Sequence, residues 1–201
     1  MNSPYRAFLE AKMPLAQAAG LPCALDEVQS HLTDGRPLKE HQRAIIRWAV
    51  EGGRRGLFEA FGLGKSIQQL EILRIIASKT QGDGLIVAPL GVRREFMHDA
   101  RLLGIDLRFV KSDAEIEAGG PPGRLFLTNY ESVRDGKINV RQFTAVSLDE
   151  ASVLRSYGSK TYQTFLPLFD SVPYRFVATA TPSPNRTKEL IHYAGFLGVM
   201  D

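Results

Sequence analysis

The sequence predicts an α/β domain: a mostly parallel sheet covered by helices on both faces, preceded by an N-terminal arm. Three observations carry this expectation. Short apolar runs recur along the chain with helical stretches between several of them, the order that makes parallel crossover units. Those runs show no clean polar alternation, which suits strands buried on both sides. The first run leads into a glycine-rich turn, then Lys65 and Ser66, then a helical pattern, and strand–loop–helix in that order makes a phosphate cradle.

Residues 1–36 form the expected arm. Residues 5–19 carry apolar side chains at near-helical spacing, interrupted by Pro14, and residues 24–32 read as a second short helix. Asp34-Gly35 reads as a turn. The main domain is expected to span residues 37–201. In residues 38–50, Ile45, Ile46, Trp48, Ala49 and Val50 fall on and around one apolar helical face, and Gly52-Gly53 ends that helix by supplying a left-handed residue. Trp48 and the phenylalanines read as core. Strands are predicted at 56–58, 85–88, 107–110, 124–128, 145–148 and 174–178, and helices at 65–78, 92–103 and 162–170. Residues 118–123 (AGGPPG) read as a surface loop.

A chain of 201 residues is long enough for one domain with a real core. The net charge of +3 permits a polyanionic partner without demanding one. Cys23 is the only cysteine, which excludes a disulfide framework and a cysteine zinc site; it reads as a small buried or half-buried apolar residue. His31, His98 and His192 have no partner at metal-ligand spacing. No apolar run approaches the ~18 residues of a membrane span, and no signal-peptide core opens the chain. The expected compartment is cytoplasmic.

Chemistry concentrates at two places. In Gly62-Leu63-Gly64-Lys65-Ser66 the glycines let backbone N–H groups converge on an anion, Lys65 can reach the β/γ-phosphates and the Ser66 hydroxyl can ligate Mg²⁺. The strict phosphate-loop pattern has glycine at position 59, where this chain has Glu59. The second place is Asp149-Glu150, two carboxylates at a strand tip. One can hold Mg²⁺ while its neighbour orients or deprotonates a water. Other strand tips carry Pro89-Leu90, Thr128-Asn129-Tyr130 and Thr179-Ala180-Thr181-Pro182, on the edge where parallel sheets gather ligands.

In this order the motifs resemble the first RecA-like domain of a superfamily 2 helicase or translocase, in the style of the Swi/Snf branch and its phage-type relatives. The resemblance runs from Pro37 to the C-terminus. Leu38-Lys39-Glu40-His41-Gln42 is similar to the Q motif, which implies that Gln42 reads adenine. Residues 62–66 resemble motif I, for which this superfamily does not require the first glycine. Ile86-Val87-Ala88-Pro89-Leu90 resembles motif Ia and Leu127-Thr128-Asn129-Tyr130-Glu131 motif Ib, both on the nucleic-acid side in the family. Asp149-Glu150-Ala151-Ser152 occupies motif II, and Thr179-Ala180-Thr181-Pro182 occupies motif III. Ser152 departs from the Asp or His of the named subgroups.

The resemblance implies ATP and Mg²⁺ as ligands, with Lys65, Asp149 and Glu150 catalytic and Ser66 and Asp149 holding the metal. Pro89, Leu90, Thr128, Asn129, Tyr130, Thr179 and Thr181 would contact nucleic acid or couple to it. The implied partners are DNA and a second RecA-like domain, whose motif VI and arginine finger have no counterpart in these 201 residues. Nucleotide binding with feeble turnover is therefore expected. Plainer roles stand beside these: Gln42 as a solvent-facing residue, Thr179 and Thr181 satisfying local backbone groups, and Tyr130 packing instead of stacking on a base. The alternative function is a non-catalytic nucleotide-binding or interaction module. A kinase lid and a guanine-reading motif are both missing.

Overall fold

The computed structural model describes residues 19–116, 120–151, 165–182 and 190–198. Its elements are α1 (Glu40–Gly52), β1 (Arg54–Phe58), α2 (Lys65–Thr80), β2 (Gly84–Ala88), α3 (Arg93–Leu102), β3 (Leu107–Phe109), β4 (Leu125–Asn129), α4 (Tyr130–Arg134), β5 (Ala145–Asp149), β6 (Tyr174–Thr179) and α5 (Leu190–Leu197). Among the described residues the six strands form one sheet in the order β1-β6-β5-β2-β4-β3, and every pairing is parallel. Because all strands point the same way, the tips of β1, β2, β4, β5 and β6 share one edge.

Strand alternation sorts the core into two layers. Ile86, Ala88, Leu125, Leu127, Phe176 and Ala178 pack in one cluster with Ile46 of α1, Leu70 and Leu73 of α2 and Phe96 of α3. Their neighbours Leu85, Val87, Phe126, Val146, Leu148 and Val177 face the other way, against Val133 of α4 and Tyr193 and Phe196 of α5. The sheet is buried on both faces, which is why its strands read as apolar runs without alternation.

Each predicted strand is present, with ends shifted by one or two residues. Four expectations are corrected. Residues 24–32 form turns in place of a helix. Their polar groups find partners in α2: Gln29 N donates to Glu71 Oε1 (2.8 Å) and Lys79 Nζ lies 2.6 Å from Glu27 Oε2. These tertiary bonds, together with the buried Cys23 and Val28, outweigh local helix propensity. Trp48 is 48% exposed, because the buried stripe of α1 runs through Gln42, Ile46, Ala49 and Val50 and Trp48 lies beside it under the Arg55 guanidinium. Phe61 is 76% exposed and Phe58 44%, both at the strand-tip edge instead of in the core. Of the predicted helix at 162–170, residues 162–164 lie outside the described residues, and the rest is a 3₁₀ turn, Leu166–Phe169, with Pro167 in its opening turn. The helical reading of residues 5–18 likewise lies outside the described residues.

Candidate active-site cleft

Between β1 and α2 the chain makes a loop governed by its glycines. Gly62 and Gly64 sit at φ +80° and +82°, a left-handed backbone that disfavours side chains. A Cβ at Gly64 would also meet Gln42 Nε2 at 2.3 Å. Gly64 is the N-cap of α2, so Lys65 and Ser66 open the helix where its free N–H groups and dipole favour an anion. Lys65 Nζ donates to the carbonyls of Glu59 (2.9 Å) and Ala60 (3.0 Å), which holds its ammonium within the loop. Glu59 needs no glycine-like backbone; its carboxylate accepts from Gln68 Nε2 of α2 (3.0 Å), tying the loop's entry to the helix.

Gln42 braces the same loop. Its Oε1 accepts from Lys39 N (3.1 Å) and its Nε2 donates to the Leu63 carbonyl (3.0 Å), leaving one lone pair and one N–H for another partner. Ser66 donates its hydroxyl to Asp99 Oδ2 of α3, a contact between two buried or half-buried groups. Asp99 was not singled out in the sequence.

Across the cleft stands the tip of β5. Ser147 and Asp149 are two residues apart and face α2 together, and Gln69 lies between them. Ser147 Oγ donates to Gln69 Oε1 (2.7 Å) and Gln69 Nε2 donates to Asp149 Oδ1 (2.9 Å). From the start of α4, just beyond the tip of β4, the Tyr130 hydroxyl donates to the Asp149 carbonyl oxygen (2.7 Å). Burial pushes the Asp149 carboxyl up to about 6; the Gln69 hydrogen bond opposes the rise, Glu150 and Glu95 add to it, and Lys65 opposes it. Burial, then the charges of Asp149 and Glu150, drive the Tyr130 phenol well above its usual value. Glu150 turns the chain with φ +46°, a left-handed conformation uncommon for residues with a side chain and found disproportionately at functional sites.

Gly62, Gly64, Lys65, Ser66, Asp149 and Glu150 line one cleft of about 250 Å³, joined by Phe61, Glu95 and Asp99. Residues 84 positions apart in the chain thus meet because parallel topology brings the ends of β1 and β5 to one edge. The other predicted positions are distributed differently. Thr128 is buried, its hydroxyl donating to the Val110 carbonyl (2.7 Å). Asn129 caps α4, accepting from Ser132 N (2.8 Å). Thr179 is buried and accepts from Thr181 N (3.1 Å), while Thr181 is exposed. Tyr130 packs against Phe165, and Leu90, next to half-buried Pro89, is 55% exposed. Ser152 lies outside the described residues. Sequence reasoning missed Gln69, Ser147 and Asp99; the available signal was a polar pair, Gln69 and Ser147, at positions otherwise suited to apolar core.

No protein-family profile and no curated protein sequence matches this chain. Solved structures match its fold. The SWI2/SNF2 ATPase core of Sulfolobus solfataricus in complex with dsDNA superposes with a TM-score of 0.69 at 19% identity, over 87% of this chain and 38% of that one. The UvsW helicase from bacteriophage T4 gives 0.64 at 14% identity, over 86% and 62%. A further T4 UvsW structure gives 0.68 at 13% identity, over 89% and 38%. The chain therefore spans 38% to 62% of the length of these neighbours. It has the RecA-like fold that these proteins share.

Proposed function

We propose that this chain is the ATP-binding half of an ATP-dependent nucleic-acid motor, a helicase or translocase acting on DNA. The observation that carries the proposal is the meeting of Lys65, Ser66, Asp149 and Glu150 around one cleft at the tips of parallel strands. A triphosphate would lie on the backbone of residues 62–66 with Lys65 against its outer phosphates. Gln42 would offer its remaining lone pair and N–H to the adenine edge. Glu150 would take the proton of an attacking water.

The donors in the cleft fit Mg²⁺. Ser66 and Asp149 would hold it, and both present oxygen, the ligand that hard cation prefers. When bound, Mg²⁺ supplies positive charge beside the phosphate oxygens.

Leu90 and the exposed Arg93 and Arg94 at the start of α3 lie beside the β2 tip and are the proposed contacts to the nucleic-acid backbone. The neighbouring structures are longer than this chain, and we place the arginine finger in a second RecA-like domain that closes the cleft. Among the described residues no helix is long and apolar enough to cross a membrane.

Titration with a fluorescent ATP analogue tests the nucleotide reading. The chain should bind ATP in preference to GTP, and Lys65→Ala should weaken binding about 10- to 100-fold, the loss of a charge-assisted contact. Equal affinity of wild type and Lys65→Ala would remove the site.

A further inference from the structure

Gln69 and Ser147 are polar and fully buried. Leu70, Ile72, Leu73 and Ile76 neighbour Gln69 on α2, beside the equally buried Gln68 and Glu71, and Ala145 shares the face of Ser147 on β5; all are completely buried. Two apolar side chains would fill these positions with no hydrogen bond to satisfy. The pair instead forms a directed chain, Ser147 hydroxyl to Gln69 carbonyl oxygen, then Gln69 amide to Asp149 carboxylate. An ionised carboxylate only accepts, so the Gln69 NH₂ group faces Asp149, and its Oε1 is anchored by the Ser147 hydroxyl on the other side.

The outcome is orientation of Asp149. Asp149 is 8% exposed, and its carboxylate rests on one side-chain donor, Gln69, among the described residues. One oxygen, Oδ1, is occupied by that donor, which leaves Oδ2 to meet a ligand in the cleft. Gln69 also stands one helical turn after Ser66, so the same rigid helix that carries the loop's hydroxyl also aims the opposing carboxylate.

We infer that Gln69, anchored by Ser147, is a positioning residue that aims Asp149 at the divalent cation accompanying the nucleotide; the inference rests on the nucleotide-binding reading above. It separates two properties that a purely structural network would keep together, the stability of the fold and the Mg²⁺ response of nucleotide binding.

The test is a titration of a fluorescent ATP analogue into the 201-residue chain, first with Mg²⁺ chelated and then across Mg²⁺ concentrations, with thermal melts alongside. Gln69→Met keeps length and helix propensity while removing both polar atoms. It should leave binding in chelator unchanged and raise the Mg²⁺ concentration for half-maximal enhancement about 10-fold, the scale on which partners of metal ligands act. Ser147→Ala should raise it by a smaller factor. Combining the two removes the stranded hydroxyl, so the double variant should regain stability lost by Gln69→Met yet keep the Mg²⁺ defect. An unchanged Mg²⁺ midpoint in Gln69→Met overturns the inference, as does a midpoint restored together with stability in the double variant. Should Gln69→Met not fold, a wild-type midpoint in Ser147→Ala overturns it. A wild-type chain that binds no nucleotide with or without Mg²⁺ removes the underlying reading first, a result distinct from a wild-type response that the variants leave untouched.

Discussion

On one wall of the cleft, residues 62–66, the groups that would meet a ligand are mostly backbone. Gly62 is exposed, Gly64 and Lys65 are half-buried, and the loop is held by main-chain geometry and the amide of Gln42. On the facing wall they are side chains at a buried strand tip. Asp149 is clamped at its carboxylate by Gln69 and at its carbonyl by Tyr130, and Glu150 follows on a left-handed turn. A backbone anion site stays hydrated and costs the fold little. A carboxylate placed inside the core loses its water, and its charged form is disfavoured. The first wall should therefore tolerate change in stability but not in affinity, and the second should trade stability for chemistry.

The largest expected effect is on turnover. Paired with the second RecA-like domain proposed above, Glu150→Gln should lower ATP hydrolysis about 10²- to 10⁴-fold while leaving ATP binding intact, the range for losing a general base. Steady-state phosphate release beside equilibrium binding would separate this from Lys65→Ala, which should lose binding first. Undiminished turnover in Glu150→Gln would move the chemistry off this wall and favour the alternative of a non-catalytic module.

Next in size is the stability held back by Asp149. Its folded pKa of about 6 lies above the ordinary carboxylate value of 3.8, so the group favours folding most when protonated, below about pH 4. That contribution is lost as pH rises through about 6. Asp149→Asn mimics the protonated form at every pH. Urea unfolding should show little difference between variant and wild type below about pH 4 and an advantage for Asp149→Asn approaching about 3 kcal/mol above pH 7. The same variant should lose the Mg²⁺ response of nucleotide binding. Equal stability at neutral pH would mean that the burial of this carboxylate is relieved.

What the residues revealed before folding follows the same division. The phosphate wall is local in sequence, and Gly62, Gly64, Lys65 and Ser66 are legible because one turn needs those residue types in that order. The strands were legible too, since burial on both faces leaves apolar runs. The support of Asp149 was not legible: Gln69 reaches it from α2, held by Ser147, and Tyr130 reaches it from α4, and only the tertiary fold places them together. Asp99 reaches Ser66 from α3 in the same way. Trp48 failed as a core residue because its neighbours Ile46, Ala49 and Val50 suffice to fill the buried stripe. The turns at 24–32 depend on Glu71 and Lys79 of α2, which no local pattern announces.

Tyr130→Phe should produce the smallest of these effects and the sharpest distinction for that residue. The phenol lies against Phe165 and donates to the Asp149 carbonyl oxygen, so the ring packs inside the sheet edge and the hydroxyl serves the carboxylate wall. Removing only the oxygen leaves the ring's packing intact and strands one buried carbonyl, a loss of about 1 kcal/mol. In a chain of this size that lowers the melting temperature by about 2–4 °C. Nucleic-acid affinity should not change, because the substitution keeps the half-buried ring and removes only an oxygen already engaged by the Asp149 carbonyl. A weakened grip on DNA with unchanged melting would assign the hydroxyl to the nucleic acid and detach Tyr130 from Asp149.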